Sequence, residues 1–276
     1  MTRPYAEVIG DPISHSKSPL IHNFWLNKLG IDAEYRACHV RPGELSDYFA
    51  RRRGDAAWRG CNVTIPHKVA ALGLVDKSLE AVTVTGALNT VFRVHLDEER
   101  GDRLVGNNTD LRGFAEPLRE SLHPRGRALI LGAGGAARAV YVALAGLGYG
   151  PIEVAARDLE KAKAFLLELA APTAVPQSLC GIIPVADLLV NATSLGMTGQ
   201  PTLDIDLSQM PHGAIVYDLV YSPLETALLV QAKSMNLNAI DGLIMLIGQA
   251  DHAFRHFFDG EPPRQHDAEL RALLTA

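Results

Sequence analysis

Apolar positions along this chain form short runs that alternate with segments of helical periodicity. The stretch from Ala128 to Leu131 is apolar at every position, which predicts a short strand buried on both faces. It leads into Gly132-Ala-Gly-Gly and then into an alanine-rich segment that predicts a helix. A second strand at Pro151 to Ala155 and a second helix at Asp158 to Ala170 follow. The pattern therefore predicts a β-α-β-α unit.

The flanking sequence continues this alternation on both sides of the unit. Strands are predicted at Tyr5 to Gly10, Ala33 to Val40, from Trp58, at Val84 to Val91, Asp187 to Asn191, Gly213 to Tyr217 and Ala239-Ile240. A β-hairpin is predicted over Val91 to Val105, with Glu99-Arg100-Gly101-Asp102 at its turn. Helices are predicted at Pro19 to Leu29 with Ser18 as N-cap, at Pro42 to Arg53, from about Pro66, from Asp110 to Leu122, after a capping box of Ser222 and Glu225, and from Gly242. This order predicts the α/β class.

Composition and charge narrow the classes of protein. A chain of 276 residues with 47% hydrophobic residues suits two domains with sizeable cores. The net charge of -5 and the absence of a clustered basic face argue against a nucleic-acid partner. The 3 cysteines are far apart and form no C-x-x-C pair, which argues against disulfides and thiolate metal sites. No signal-peptide core and no apolar run of about 18 residues is found, so we expect a cytoplasmic protein without a membrane partner.

Histidines do not change this picture. His252 and His256 have helical spacing and an acidic neighbour, but their place near a helix end favours surface or dipole-facing roles over metal binding. No metal site is expected.

The glycine segment after Leu131 is the first candidate for chemistry. Gly132 and Gly134 allow a tight turn and a close backbone approach, and Ala137 supplies the third small position of a dinucleotide-binding fingerprint. The N–H groups at the start of the next helix would then point at a pyrophosphate. A strand-to-helix turn without a ligand is the alternative, and the second β-α unit argues against it. The loop Ala192 to Pro201 is of a kind that often lies over a bound cofactor.

Polar side chains also follow the strands predicted in the N-terminal part. Ser16 and Ser18 alternate around Lys17, so in an extended stretch both hydroxyls would face one way, although a plain polar cap is the alternative. Asn62 and Thr64, together with Lys68 a few residues later, lie near the carboxyl end of a strand, where open α/β sheets bind ligands.

Three residues have both a structural and a functional interpretation. Lys68 at a predicted helix start would oppose the helix dipole, although a lysine there is usually solvated. Asp110 is either an N-cap or a ligand-binding group. Gln249 is alone and polar within an apolar helix, so it needs a buried partner or a ligand.

Taken together, these segments closely resemble the shikimate dehydrogenase family over nearly the whole chain. The matching motifs are Ser16-Lys-Ser-Pro19, Asn62-Val-Thr-Ile-Pro-His-Lys68, Gly86-Ala-Leu-Asn-Thr90, Gly106-Asn-Asn-Thr-Asp110, Gly132-Ala-Gly-Gly-Ala136, Asn191-Ala-Thr-Ser-Leu-Gly-Met197 and Gly242-Leu-Ile-Met-Leu-Ile-Gly-Gln249. The resemblance implies an α/β substrate domain with a mostly parallel sheet, formed by residues 1–108 and 242–276. It also implies a Rossmann-like NADP-binding domain at residues 109–241, with the active site in the cleft.

The resemblance implies an activity and a set of site residues. The activity is the reversible NADPH-dependent reduction of 3-dehydroshikimate to shikimate in aromatic amino-acid biosynthesis. The enzyme is expected in the cytoplasm, with a homodimer as its expected assembly. The catalytic pair is Lys68 and Asp110, and the substrate-binding residues are Ser16, Ser18, Asn62, Thr64, Lys68, Asn89, Asp110, Tyr221 and Gln249. The cofactor-binding residues are Gly132, Ala133, Gly134, Gly135, Ala136, Ala156, Arg157, Asp158, Lys161, Thr193, Leu195, Met197, Leu219, Gly242 and Met245.

One departure from the family pattern concerns the choice of cofactor. NADP-using members typically read Asn-Arg-Thr where this chain reads Ala156-Arg157-Asp158. Arg157 and Lys161 could clamp a 2′-phosphate. Asp158 would either repel that phosphate or cap the following helix. We expect NADP, with NAD as the alternative cofactor. The alternative functions are an NAD-preferring quinate/shikimate dehydrogenase and a non-catalytic ligand-binding protein on the same fold.

Overall fold

The computed structural model describes residues 3–95, 101–119, 125–171 and 175–276. The chain divides into two compact units, of which unit 1 comprises Met1–Thr109 and Gln249–Ala276, and unit 2 comprises Asp110–Gly248. No helix within the described residues is long and apolar enough to cross a bilayer.

Strands and helices alternate through the described residues. The strands are β1 (Tyr5–Gly10), β2 (Glu34–His39), β3 (Trp58–Val63), β4 (Lys77–Ser78), β5 (Thr90–His95), β6 (Asp102–Asn107), β7 (Ala128–Leu131), β8 (Ile152–Ala156), β9 (Val175–Ser178), β10 (Leu188–Asn191), β11 (Ile215–Asp218) and β12 (Asn238–Asp241). The α-helices are α1 (Ser18–Leu29), α2 (Leu45–Arg53), α3 (Glu80–Thr85), α4 (Asp110–Arg119), α5 (Gly135–Gly146), α6 (Leu159–Glu168), α7 (Ala227–Ser234), α8 (Gly242–Phe258) and α9 (Asp267–Thr275). Short 3-10 helices cover Pro42–Glu44, Ala70–Leu74 and Arg264–His266.

Unit 1 is built on a mixed sheet with the strand order β2-β1-β3-β5-β6-β4. β1 pairs in parallel with β2 and β3, whereas β5 is antiparallel to both β3 and β6. Neighbouring side chains of a strand point to opposite faces, so Ile9 packs with Tyr48 and Phe49 of α2 on one face. Val8 packs with Phe257 of α8 on the other. Both faces of β1 are therefore covered, and all of its residues are buried.

Unit 2 is built on a parallel sheet with the strand order β12-β11-β10-β7-β8-β9. This is the doubly wound order of Rossmann folds, in which the chain reverses its direction of winding between β7 and β10. Every residue of β7, β10 and β11 is buried. The predicted α/β class with a Rossmann-like unit is confirmed, and the carboxyl ends of β7 and β10 form the crevice where such folds bind ligands.

Two predictions in unit 1 were wrong because turn chemistry overrides the apolar pattern. Residues 65–69 form a turn, not a helix, and an α-helix does not follow, since the next element is the 3-10 helix Ala70–Leu74. Val84 and Thr85 end helix α3, and they do not begin a strand. Gly86 then adopts a left-handed C-cap with φ +61°.

Three predicted helix starts also differ. Helix α7 begins at Ala227 and is capped by the Thr226 hydroxyl, which accepts from Leu229 N at 3.3 Å, so the capping box of Ser222 and Glu225 does not form. Ser18 is the first residue of α1, and its own N–H lies 3.4 Å from the Ser16 hydroxyl. The predicted helix from Pro42 begins as a 3-10 turn and becomes α-helical at Leu45.

The predicted hairpin is confirmed in its strands, since β5 and β6 pair antiparallel from Thr90↔Asn107 to His95↔Asp102. Glu99 and Arg100 of its predicted turn lie outside the described residues, as does the predicted end of helix α4 at Leu122.

Candidate functional site

The loops after β1 and β3 meet at the carboxyl edge of the sheet in unit 1. Asp11 N donates to Ile65 O at 3.0 Å, and Thr64 N donates to Ile9 O at 3.0 Å. A Cβ on Gly10 would lie 2.5 Å from Thr64 Cγ2, so only glycine permits this approach. The Thr64 loop and the loop that continues to Ser16 and Ser18 are thereby joined at one edge. Ser18 is buried and Ser16 is half-buried.

Lys68 lies on the turn that follows Thr64. His67 N donates to Thr64 O at 2.9 Å, and the buried His67 ring places Nε2 2.6 Å from Val40 O. The Lys68 carbonyl accepts from Leu88 N at 2.8 Å. The lysine is thus held by its backbone on an anchored turn and does not begin an α-helix. The sequence-based reason to suspect Lys68, a place at the start of an α-helix, therefore does not apply.

A buried group of amides and hydroxyls lies beside this edge of unit 1. We call Asn62, Asn89, Thr90, Thr109 and Gln249 the amide cluster; all five are buried. Asn62 Nδ2 donates to Thr90 Oγ1 at 3.0 Å, and Thr109 N donates to Asn89 Oδ1 at 2.8 Å. Asn89 Nδ2 lies 3.4 Å from Gln249 Oε1. Gln249 therefore has the buried partner that its place in an apolar helix required.

Sequence reasoning named three members of the amide cluster and missed two. Thr90 and Thr109 each stand at or near the end of a family motif, directly after Asn89 and directly before Asp110. Neither residue was assigned a role from sequence, and their buried hydroxyl contacts depend on the pairing of β5 with β6, which brings Thr109 beside Asn89. Asp110 itself begins α4 in unit 2 and is buried.

The glycine loop of unit 2 connects β7 to α5. Gly132 has φ +109°, and its N–H donates to Ala155 O at 2.7 Å. Gly134 is the N-cap of α5, and no side chain caps this helix. A Cβ on Gly134 would meet no atom within 4 Å, so space remains in front of the helix start. The N–H groups of Gly135 and Ala136 in the first turn are thus placed to bind an anion, and the loop fits a dinucleotide pyrophosphate.

Asp158, which has two interpretations from sequence, directly follows β8 and Arg157. Its Oδ1 accepts from Glu160 N at 3.0 Å and from Lys161 N at 3.2 Å, which makes Asp158 the N-cap of α6. Ala156 is buried, whereas Arg157 and Lys161 are exposed. Within the part of the chain that the structure describes, no ion pair involves Arg157 or Lys161. Two cations are therefore available to an anionic group at this edge.

A buried polar network fixes the loop after β10. Asn191 Nδ2 donates to Asp218 Oδ1 at 2.9 Å, and the Thr226 hydroxyl donates to Asp218 Oδ2 at 2.6 Å. The Thr193 hydroxyl donates to Asn191 Oδ1 at 2.7 Å, and Leu195 N donates to the Thr193 hydroxyl at 3.0 Å. Val220 N also donates to Asp218 Oδ1, at 3.0 Å. Burial raises the pKa of Asp218, and these three hydrogen bonds oppose that shift.

This network holds Thr193 and Leu195 in one geometry at the switch point of the sheet. Met197 lies two residues further along the same loop, where its N–H donates to Ser194 O at 3.2 Å. Sequence reasoning missed Asp218 and Thr226, although an acidic residue directly after a predicted buried strand was a signal.

The remaining predicted cofactor residues lie around the start of α8. A Cβ on Gly242 would lie 2.3 Å from Leu219 O. The backbone at the start of α8 therefore packs directly against the backbone that follows β11. Met245 is buried in the core cluster that includes Tyr217.

Tyr221, a predicted substrate-binding residue, follows shortly after β11, and burial raises the pKa of its hydroxyl.

Comparison with known proteins agrees with this architecture. Residues 8–91 match the family model of the shikimate dehydrogenase substrate binding domain. A shikimate dehydrogenase (NADP(+)) from Sphingopyxis alaskensis is 50% identical over 273 residues, which are 99% of this chain and 97% of that protein.

Solved structures give the same result at the level of the fold. Shikimate 5-dehydrogenase from Thermus thermophilus, in complex with NADP(H) and shikimate, is 36% identical with a TM-score of 0.83, over 98% of this chain and 99% of that one. Quinate dehydrogenase from Corynebacterium glutamicum, in complex with NAD, is 30% identical with a TM-score of 0.85, over 98% of this chain and 99% of that one. The identity to the Sphingopyxis protein along nearly all of both sequences, together with the fold, shows that this chain belongs to the shikimate dehydrogenase family.

Proposed function

We propose that this chain catalyses the reversible NADPH-dependent reduction of 3-dehydroshikimate to shikimate. The observation that carries the proposal is the amide cluster of unit 1, which presents uncharged donors and acceptors near the anchored turn of Lys68. Such groups suit a small polyhydroxylated acid, because each buried hydrogen-bonding group rejects an analogue that lacks its partner. The similarity to an NADP(+)-dependent shikimate dehydrogenase and to a structure in complex with NADP(H) and shikimate supports the same activity.

Lys68 and Asp110 are the proposed catalytic pair. Reduction of a ketone builds negative charge on its oxygen, and a cation that also carries a proton meets both needs in the transition state. The Lys68 ammonium would donate that proton, and in the reverse direction its amine would accept it. Asp110 as a carboxylate would hold the lysine ammonium in place. When bound, NADPH supplies the hydride.

The substrate carboxylate is assigned to Ser16, Ser18 and Thr64. The backbone bonds that join the Thr64 loop to the loop after β1 support this grouping. Hydroxyls in place of an arginine give modest affinity and leave specificity to the remaining contacts. Asn89 and Gln249 would take the ring hydroxyls, and Asn62 and Tyr221 complete the proposed substrate-binding set.

Unit 2 is the proposed cofactor-binding domain and unit 1 the proposed substrate domain. The uncapped start of α5, from Gly132 to Ala136, would hold the pyrophosphate. The fixed loop with Thr193, Leu195 and Met197 would line the site, as would Leu219, Gly242 and Met245. Arg157 and Lys161 would bind the 2′-phosphate of NADP, with Ala156 beneath them.

An NAD-preferring quinate/shikimate dehydrogenase is the second candidate. Two observations favour it, namely the acid at Asp158 and the similarity to a quinate dehydrogenase in complex with NAD. One carboxylate oxygen of Asp158 already accepts hydrogen bonds from two backbone amides of α6. The positive charges of Arg157 and Lys161 together exceed the single negative charge of Asp158. NADP is therefore the proposed cofactor. A non-catalytic binding protein is disfavoured, because both Lys68 and Asp110 are present.

A two-by-two assay tests the proposal. Purified protein is given shikimate or quinate with NADP+ or NAD+, and reduced cofactor is followed by absorbance. We expect the highest kcat/KM for shikimate with NADP+. A highest value for quinate with NAD+ would establish the second candidate, and inactivity with all four pairs would exclude both. A Lys68→Ala preparation controls for contaminating dehydrogenases.

Two further expectations belong to the same proposal. The enzyme would act on a small-molecule substrate in the cytoplasm, where the reduced thiols of Cys38, Cys61 and Cys180 are stable. A homodimer is the proposed assembly, and sedimentation equilibrium would decide it.

A further inference from the structure

Tyr35 is held rigidly in the middle of β2. The Asn23 side chain binds its backbone on both sides, since Tyr35 N donates to Asn23 Oδ1 at 2.9 Å and Asn23 Nδ2 donates to Tyr35 O at 2.6 Å. The phenol ring stacks on His22 at 4.0 Å between centroids with 6° between the planes. Burial lowers the pKa of His22 to about 3, so a flat, neutral ring covers the tyrosine. The Tyr35 hydroxyl can therefore point in one direction.

That hydroxyl meets the amide cluster. Tyr35 Oη lies 2.6 Å from Asn62 Oδ1, and both residues are buried. An amide oxygen only accepts, so the tyrosine is the donor. Burial raises the pKa of Tyr35 well above its ordinary value, which keeps the hydroxyl protonated. Tyr35 thus supplies a hydrogen-bond donor to the buried Asn62 amide oxygen.

The hydrogen bonds continue from Asn62 to Thr90 and Asn89, and each residue in this chain donates to the next. Asn62 Nδ2 donates to Asn89 O at 3.2 Å and to Thr90 Oγ1 at 3.0 Å. The Thr90 hydroxyl donates onward to Asn89 Oδ1 at 2.9 Å. Because Asn89 Oδ1 receives this bond and a second from Thr109 N, Asn89 Nδ2 faces Gln249 Oε1. These contacts fix the orientation of the Asn89 amide, with Oδ1 as the acceptor and Nδ2 as the donor to Gln249.

We propose that Tyr35 is a positioning residue that orients the substrate-binding amides of Asn89 and Gln249 through Asn62 and Thr90. The inference rests on the proposed function, in which these two amides bind the ring hydroxyls. An amide that turned over would offer an acceptor where the substrate needs a donor, and recognition by hydrogen bonds depends on that distinction. Tyr35 would fix the orientation of these amides although it is not one of the predicted substrate-binding residues.

Tyr35→Phe tests the proposal because it keeps the stacked ring and removes only the donor. The KM for shikimate should rise roughly threefold to tenfold, the size expected when one buried hydrogen bond is lost. The kcat should stay within about twofold, because contacts to remote hydroxyls are made almost equally in ground and transition states.

Tyr48→Phe is the matched control. Tyr48 is another buried tyrosine of unit 1, and its hydroxyl donates to Glu7 Oε2 at 2.8 Å. It also loses one buried hydrogen bond, but in a network that contains no predicted substrate residue. Its KM for shikimate should remain that of the wild type. A rise in KM equal to that of Tyr35→Phe would show a general effect of lost stability and overturn the assignment.

A second variant and a second readout keep the test decisive. Thr90→Val breaks the same chain of bonds one step later and should raise KM in the same way. The shift of the unfolding temperature by shikimate, which needs no turnover, should shrink in both variants. Unchanged KM and shift in either folded variant would overturn the role of Tyr35. Failure of the wild type to oxidise shikimate would overturn the proposed function first, and this assignment with it.

Discussion

Gly132→Ala tests whether the glycine loop of unit 2 packs against the loop after β10 too closely to accept a side chain. Gly132 has φ +109°, a region that residues with a side chain rarely adopt. A Cβ there would also lie 3.0 Å from Ala192 O and 3.1 Å from Thr193 Cγ2. The substitution therefore combines backbone strain with a collision against the loop that carries Thr193.

The two costs can be separated by a control in the same unit. Gly148 also has a positive φ, +84°, but a Cβ there would meet no atom within 4 Å. Strain alone costs about 1–2 kcal/mol in Gly148→Ala. Overpacking adds about 1–3 kcal/mol in Gly132→Ala, for a total of about 2–5 kcal/mol in the free energy of unfolding.

Urea unfolding of both variants measures these losses, and steady-state kinetics measures the effect on the cofactor. Gly132→Ala should lose more stability than Gly148→Ala and should raise the KM for NADP+, because Thr193 and its loop must move. Gly148→Ala should keep the wild-type KM. Equal losses of stability in the two variants, with an unchanged KM for NADP+ in both, would refute the close contact between Gly132 and Ala192.

Further predictions follow from the proposed roles. Lys68→Ala should lower kcat about 100-fold or more, the usual contribution of general acid–base catalysis, with KM for shikimate within a few-fold; a near-normal kcat would remove Lys68 from the mechanism. Replacing both Ser16 and Ser18 with alanine should raise KM far more than it lowers kcat, and a collapse of kcat at constant KM would place these serines close to the reacting carbon. Asp158→Thr keeps an N-cap and removes the charge, so the ratio of kcat/KM for NADP+ over NAD+ should rise roughly two- to fivefold, whereas Arg157→Ala should abolish the preference for NADP+. An unchanged ratio in Asp158→Thr would show that the carboxylate acts only as a cap.

The buried strands were the most predictable part of the fold. β1 and β7 have the predicted bounds, because each is a mostly apolar run that meets a glycine, Gly10 or Gly132, which leaves little choice of boundary. The errors fall where a single hydrogen bond decides the local structure. The pattern could not show that Thr226, and not Ser222, caps α7, since that choice depends on Asp218 accepting from the Thr226 hydroxyl.

The candidate site was predictable as a set of motifs and not as a set of contacts. Asn62, Asn89 and Gln249 were named from sequence, and the structure brings them into one buried cluster of unit 1. Tyr35 was not named, because its link to Asn62 depends on two strands that flank β1 on opposite sides. A periodic pattern specifies which face of a strand is buried, but it does not specify the neighbour across the sheet.

Unit 1 is assembled from two stretches of chain that are separated by the whole of unit 2. One face of its sheet, with Val8 and Tyr35, is covered by Ala253 and Phe257 of α8. A ribosome makes about 5–20 residues per second, so residues 110–248 delay that cover by on the order of ten seconds. Unit 2 is continuous, so all of it is synthesised within this interval. The apolar sheet face of unit 1 therefore stays uncovered for seconds during synthesis, and unit 1 is the later of the two units to be completed.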